Sequence, residues 1–312
     1  MTGDLRVAVI GVGHLGRHHA RILSGLPGVR LVGVVDTNEA RAAEIASGSG
    51  TTAFTDYRAL FEEVDAVTVA VPTESHIEVA CPFLERGIPV LVEKPIARSE
   101  REAEALLEVA TAGGAFVAAG HTERYNPAVQ AALPFVTTPR FVEVHRLGVF
   151  PERSLDIDVV FDLMIHDLDI VSALVRSPVA SLEAVGVPVL TPRVDIANVR
   201  LRFESGCIAN LTASRISRDR VRKIRFFQPD SYISIDYAAR EVEAYHLSRP
   251  PGERPVIAGG KLSVPQQEPL ALELADFVAA VRDERPPMVT GEDGRRAVRL
   301  AEQIAREIED RM

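Results

Sequence analysis

Up to about residue 120 the apolar positions come in short, nearly continuous runs: Leu5–Ile10, Val29–Val35, 66–71, 90–92 and 115–119. A strand buried on both faces reads this way, as in a parallel sheet covered by helices. Residues 51–54 form a shorter strand of the same kind. Between the runs lie amphipathic stretches with helix-end signals: 39–46 behind Asn38, 57–62 behind Asp56, 74–86 stopped by Gly87, and 100–111 between Ser99 and Gly113-Gly114. Strand and helix alternate throughout, which predicts an α/β doubly wound parallel sheet.

The pattern then changes. Residues 141–149 alternate apolar and polar, as a half-buried strand does, and 157–174 are the only long helical stretch in the middle of the chain. Runs of strand character follow at 179–189, 196–203, 207–214, 221–227, 231–236 and 241–247, with no helix between them. They predict one open, largely antiparallel sheet. Residues 248–269, with five prolines and Gly259-Gly260, read as a surface loop. Helices at 269–281 and 293–308 finish the chain. The expectation is therefore two domains, with a boundary near residue 120. Residues 1–120 form a Rossmann-type domain. Residues 121–312 form an α+β domain for substrate and oligomerisation, its last helix able to pack back on the first.

Composition narrows the partners. The formal net charge of −9 argues against a nucleic-acid footprint, which needs clustered basic residues. The two cysteines, Cys81 and Cys207, form neither a disulfide framework nor a CxxC metal motif. No apolar run approaches the roughly 18 residues of a membrane helix. The first strand starts at once after Met-Thr-Gly-Asp, leaving no room for a signal peptide, so a cytoplasmic protein is expected.

The first strand runs into Gly11-Val-Gly13-His14-Leu15-Gly16 and then a helix. Backbone must come close to a pyrophosphate here. Gly11 permits the tight turn, Gly13 removes a Cβ from the phosphates, and Gly16 lets helix pack on strand. The second run ends in Asp36, 20 residues after Gly16, where a carboxylate accepts from an adenosine ribose hydroxyl. The acid repels a 2′-phosphate, and no arginine follows it directly, so the cofactor reads as NAD.

Four further constellations could carry chemistry. Glu93-Lys94-Pro95 closes a parallel strand at the end where ligands bind; a lysine there can hold a substrate oxygen, though it could equally be a surface lysine before a turn. Asp158, Asp162, His166 and Asp169, at offsets of four, four and three, share a stripe of a largely apolar helix. There an Asp can orient a His that accepts a hydroxyl proton. A purely structural Asp–His pair satisfies the same spacing, and a metal site lacks a second histidine at ligand spacing. Pro72, Thr73 and His76 follow another strand and are placed to line the cofactor. At the domain junction His121, Arg124, Tyr125 and Asn126 concentrate hydrogen-bonding groups suited to a substrate. A basic run from Arg215 to Arg225 reads either as a solvated or subunit-facing surface or, through Arg215, as a clamp for an anionic substrate.

Taken in order, Gly11-x-Gly13-x-x-Gly16, Asp36, Pro72-Thr73-x-x-His76, Glu93-Lys94-Pro95 and Asp162-x-x-x-His166 resemble the Gfo/Idh/MocA oxidoreductase family over the whole chain. The resemblance implies a Rossmann domain followed by an open sheet whose face joins subunits into dimers or tetramers. It also implies a cis Lys94–Pro95 peptide and the catalytic set Lys94, Asp162 and His166. The stretch from Asp156 to Phe161 departs from the glycine-rich segment usual there. His121-x-Glu-Arg-Tyr-Asn-Pro127 with Asp162-Leu-Met-Ile-His-Asp167 resembles a subgroup acting on nucleotide sugars, UDP-N-acetylglucosamine oxidised at its 3-position among them. The expected activity is NAD-dependent oxidation of a ring hydroxyl of a sugar or nucleotide sugar. An inositol or free-aldose dehydrogenase and a non-catalytic NAD(H)-binding regulator are the rival readings.

Overall fold

The structure is a computed structural model and describes residues 3–150, 157–250 and 254–311. Met1-Thr2, Asp156 and residues 251–253 of the 248–269 stretch lie outside the described residues. The chain divides into two compact units, Met1–Thr122 with Glu268–Val298, and Glu123–Gln267 with Arg299–Met312.

The first unit runs β1 (Leu5–Ile10), α1 (Gly16–Gly25), β2 (Val29–Val35), α2 (Glu39–Ser49), β3 (Thr52–Phe54), β4 (Ala66–Val69), α3 (His76–Leu84), β5 (Val90–Glu93), α4 (Glu100–Gly113) and β6 (Val117–Gly120). Its sheet has the order β3-β2-β1-β4-β5-β6, with every pairing parallel. The continuous apolar runs become strands buried at every residue, as in β4 and β5. Strand order reverses between β1 and β4, and the crevice at the carboxyl ends of such strands is where ligands bind.

The second unit begins with α5 (Pro127–Ala132) and β7 (Phe141–Leu147). A π-helical turn at Val160–Met164 then feeds α6 (Ile165–Val175). The six runs of strand character follow as β8 (Val179–Val187), β9 (Ile196–Phe203), β10 (Ile208–Ser214), β11 (Val221–Phe227), β12 (Ser231–Asp236) and β13 (Glu241–Ser248). β14 (Val256–Lys261) is added inside the stretch read as a loop. The sheet order is β14-β13-β12-β11-β7-β10-β9-β8, antiparallel except for β7 beside β10. Val142, Val144, Leu201, Leu211, Ile224, Phe226, Ile233 and Ile235 fill its buried face. The alternate residues on the opposite face are half-buried on β7, β11 and β12 and mostly exposed on β9.

The single boundary near residue 120 needs correction. α7 (Pro269–Arg282) and the start of α8 (Gly291–Glu309) belong to the first unit. Leu274, Phe277, Val278 and Val281 of α7 enter the core formed by Leu5, Val7, Val9, Leu23 and Leu91. Each such side chain contributes about 1.5–3 kcal/mol. The link from α7 to α8 bridges Thr290 to Ala118 on the edge strand β6, and Ala119 N–H donates to Val289 O at 3.2 Å.

Candidate functional site

In the first unit, the loops after β1, β4 and β5 come together. Gly11 has φ of 85°, which favours glycine. A Cβ on Gly16 would sit 1.8 Å from Gly11 O, so helix and turn pack as closely as the motif required. A Cβ on the exposed Gly13 would meet no protein atom within 4 Å. The surface left open by Gly13 lies at the start of α1. Asn38 caps α2 and Ser99 caps α4, but no side chain caps α1. Its first N–H groups and the positive end of its dipole suit a pyrophosphate. Asp36 Oδ2 accepts Val12 N–H at 3.1 Å and Oδ1 accepts Asn38 N–H at 3.0 Å, so the carboxylate is fixed at the end of β2. His14 and Leu15 are exposed on the loop. This set fits an NAD cofactor: a close-approach turn, an uncapped helix start and an acid for the ribose.

Lys94 is half-buried directly after β5, and the Lys94–Pro95 peptide is cis. Behind it, Glu93 is buried, with Oε1 3.1 Å from His19 Nε2 and Oε2 accepting Lys94 N–H at 3.2 Å. Burial acts to raise the Glu93 carboxyl. It is outweighed by the His19 hydrogen bond and the charges of His19 and Lys94, which hold the group below its ordinary range. His19 lies on α1, three residues after Gly16, and is fully buried. Sequence reading missed it. The available signal was a histidine one turn past the glycine motif on the face that also carries Ala20 and Leu23.

His76, expected against the cofactor, is buried between two loops. Its Nδ1 is 3.0 Å from Pro95 O and its Nε2 3.0 Å from Val71 O. The ring ties the loop after β4 to the turn after Lys94. Burial lowers its pKa, and the two carbonyls oppose that shift. Pro72 is exposed and Thr73 half-buried at the start of the short 3-10 turn before α3. His121 is buried just after β6.

In the second unit, the four residues expected on one stripe separate. The π-turn, in which Ile165 N–H donates to Val160 O, breaks the regular spacing. Asp158 Oδ1 caps the turn through Val160 N–H at 2.9 Å and Phe161 N–H at 3.1 Å, and burial raises its pKa. Asp169 is buried and accepts from Arg124 Nη1 at 3.1 Å. Asp162, in the π-turn, and His166, in the first turn of α6, are both half-buried. π-turns recur at functional sites. The alternation of β7 places Arg146 among its buried residues. It donates to Asp167 through Nε at 2.7 Å and Nη2 at 2.9 Å, and reaches Glu123 Oε1 at 3.3 Å. Burial pushes the Asp167 carboxyl up and the Arg146 charge pulls it back. This pair anchors the residue next to His166. An arginine in a buried strand position was the signal for it.

Among the other expected substrate contacts, Tyr125 and Asn126 are buried. Asn126 Oδ1 caps α5 through Ala128 N–H at 3.0 Å. Arg215 is buried, not poised as a clamp. It donates through Nε to Asp195 Oδ1 at 2.8 Å, through Nη1 to Ile157 O at 2.6 Å and through Nη2 to Thr191 Oγ1 at 3.1 Å. Arg225 pairs with Glu143 at 2.7 Å and Lys223 with Asp236 at 3.3 Å across strands, while Arg218, Arg220 and Arg222 are exposed. The basic run therefore serves several separate purposes.

Residues 5–121 match the oxidoreductase family with an NAD-binding Rossmann fold, and residues 139–228 match the GFO/IDH/MocA C-terminal domain. The chain is 39% identical over 304 residues to UDP-N-acetylglucosamine 3-dehydrogenase of Acidithiobacillus ferrooxidans, covering 96% of each. A solved structure of that enzyme superposes with a TM-score of 0.92 at 37% identity, over 98% of both chains. scyllo-Inositol 2-dehydrogenase (NAD(+)) of Bacillus subtilis is 28% identical over 244 residues, 70% of this chain and 69% of that one. Levoglucosan dehydrogenase in complex with NADH and levoglucosan shares the fold, with a TM-score of 0.87 at 18% identity, over 99% of this chain and 98% of that one. Among the described residues, no helix is long and apolar enough to cross a membrane.

Proposed function

Because the chain belongs to the GFO/IDH/MocA oxidoreductases, whose Rossmann domain binds NAD, we propose that it oxidises a ring hydroxyl of a nucleotide sugar, UDP-N-acetylglucosamine at its 3-position. The full-length likeness to an enzyme of that name carries the reading of the substrate. The basic run does not, since Arg215, Lys223 and Arg225 are engaged within the second unit.

The glycine turn, the first N–H groups of α1 and Asp36 hold the dinucleotide. NAD⁺, when bound, supplies the hydride acceptor. Lys94 holds the reacting oxygen and offsets its negative charge as the proton leaves. His166 takes that proton, and Asp162, four residues earlier, favours the imidazolium. Glu93, held by His19, and His76 brace the lysine turn from behind. The substrate positioning assigned to Arg124 and Tyr125 draws on the junction loop that carries them. NAD chemistry and the two free cysteines suit a cytoplasmic enzyme. The experiment is to add NAD⁺ with UDP-N-acetylglucosamine or with myo-inositol and follow NADH formation. Turnover with the nucleotide sugar is expected. Turnover with inositol alone would overturn the substrate, and cofactor binding without turnover on any polyol would favour a regulator.

We also infer a homodimer through the open face of the second sheet. Phe141, Phe227, Tyr232 and Tyr245 form one row across four strands, with ring centroids 5.5, 5.2 and 6.5 Å apart. The row is half-buried and flanked by the Glu143–Arg225 and Lys223–Asp236 pairs. An apolar row with complementary charges beside it suits a self-complementary contact. Light scattering should give a multiple of the monomer mass, and Phe227→Glu should give a monomer. A monomeric wild type refutes the inference.

A further inference from the structure

The segment that leads into the π-turn is fastened at two backbone atoms by other elements. Arg215 Nη1 donates to Ile157 O at 2.6 Å, and Val159 N–H donates to Val194 O at 3.0 Å. Both holds come from one assembly at the ends of β8, β9 and β10. Asp195, directly before β9, is 0% exposed, and Arg215, directly after β10, is 1% exposed. Asp195 Oδ2 accepts the N–H groups of Val189, Leu190 and Thr191 at 2.9, 2.6 and 2.9 Å. Its Oδ1 accepts from Thr191 Oγ1 and from Arg215 Nε, each at 2.8 Å. The loop between β8 and β9 thus folds round one carboxylate, and the guanidinium that neutralises it reaches on to residue 157. The rigid planar fork of the arginine carries the position of Asp195 over to that carbonyl.

We propose that Arg215, set by Asp195, is a positioning residue: it fixes where the π-turn begins, and with it the face on which Asp162 stands relative to His166. The inference rests on the proposed roles of those two residues. A π-turn closes its hydrogen bond from residue i to i+5, so it holds one residue more than a turn of regular helix. At about 100° per residue, moving that extra residue by one place carries a side chain from one face of the helix to another. Asp162 sits in the middle of the turn, Val160–Met164, and His166 in the regular helix after it. The Asp158 cap on Val160 and Phe161 N–H does not set this register, because it lies within the segment and moves with it. Ile157 O and Val159 N–H are held from outside, and through them the sheet sets the register. A misplacement of about 1 Å in such a pair costs on the order of 10²-fold in rate. Arg215 thus serves the reaction through the backbone of the π-turn and not as a clamp on an anion.

The test compares Arg215→Lys with Ile235→Ala in the full-length protein. Lysine keeps a positive charge beside Asp195, but its compact ammonium does not span Asp195, Thr191 and Ile157 O together. Ile235, fully buried on β12 and three strands from β10, is a control for stability lost elsewhere in the same sheet. Both variants should lower the thermal midpoint. With NAD⁺ and UDP-N-acetylglucosamine, well below both midpoints, Arg215→Lys should lose about 10- to 10²-fold in kcat, with KM and NADH affinity within about twofold of wild type. Ile235→Ala should keep the wild-type kcat. Amide hydrogen exchange over residues 158–166 should quicken in Arg215→Lys and stay as in wild type in Ile235→Ala. Arg215→Gln, whose amide can still donate to Asp195, breaks the same hold on Ile157 and serves if the lysine variant does not fold. Wild-type kcat in the Arg215 variants, or an equal loss in Ile235→Ala, overturns the inference. A wild type without turnover overturns the proposed function instead. Exchange over 158–166 then decides the inference alone: quickening confined to the Arg215 variants supports it, and unchanged exchange there overturns it.

Discussion

Replacing Arg146 by methionine tests how the second unit holds His166 in place. Arg146 and Asp167 are 4% and 1% exposed, and the two hydrogen bonds between them are 2.7 and 2.9 Å. Methionine fills much of the same volume but leaves the Asp167 carboxylate uncompensated in the interior. Breaking a buried pair in this way costs about 3–5 kcal/mol. Losing two charge-assisted hydrogen bonds at about 1.5–3 kcal/mol each gives a similar range, about 3–6 kcal/mol. At about 2–4 °C per kcal/mol for a domain of roughly 150–250 residues, the midpoint should fall by about 6–20 °C. The deficit should depend on pH. Without Arg146, burial raises the folded-state pKa of Asp167 above its unfolded value of about 3.9, so stability is retained at low pH and lost as pH rises through the folded-state value. Thermal unfolding followed by circular dichroism from about pH 4 to pH 7 spans that window. Arg146→Met/Asp167→Leu removes both charges and should recover most of the loss. A deficit below about 1 kcal/mol, or one that does not change with pH, would refute the reasoning.

Three other outcomes follow from the first unit. Gly16→Ala places a Cβ against backbone, 1.8 Å from Gly11 O, and should cost about 1–3 kcal/mol or more along with cofactor binding. Gly13→Ala, where a Cβ meets nothing within 4 Å, should leave the unfolding midpoint unchanged yet weaken NADH about tenfold or more in a fluorescence titration. Glu93→Gln keeps the shape but removes the charge between His19 and Lys94. It should lower kcat by about 10²-fold with little change in KM. Because the folded-state pKa of Glu93 is depressed, its contribution to stability is present above the ordinary carboxylate range and is lost as pH falls. The acid side of the stability profile should therefore flatten in Glu93→Gln.

Much of this was legible in the chain because its signals are local. The run Leu5–Ile10, the three glycines and Asp36 specify strand, turn, helix and an acid at the end of the next strand, and the structure has β1, the turn, α1 and Asp36 at the end of β2 in that order. Alternation over 141–149 and the runs of strand character after it likewise announced the second sheet. What stayed hidden depends on distant partners. The prolines and glycines before residue 262 read as a loop, yet β14 pairs with β13 so closely that a Cβ on Gly259 would lie 2.1 Å from Ala244 O. α7 was assigned to the wrong unit because its four core residues meet strands more than a hundred and fifty positions away. The π-turn has no periodicity of its own, so Asp158 and Asp169 were grouped with Asp162 and His166 although they cap a turn and pair with Arg124. Arg215 sat in a basic run, but its partner Asp195 lies on the far side of two strands in the sequence.

The central claim is that Lys94 holds the oxygen of a sugar hydroxyl while NAD⁺ accepts the hydride. Its most direct test compares wild type with Lys94→Met, measuring NADH formation from NAD⁺ and UDP-N-acetylglucosamine alongside NADH affinity. Turnover is expected in the wild type, with a loss of about 10²–10³-fold in kcat in the variant and unchanged NADH affinity. Turnover at the wild-type rate in Lys94→Met would contradict it.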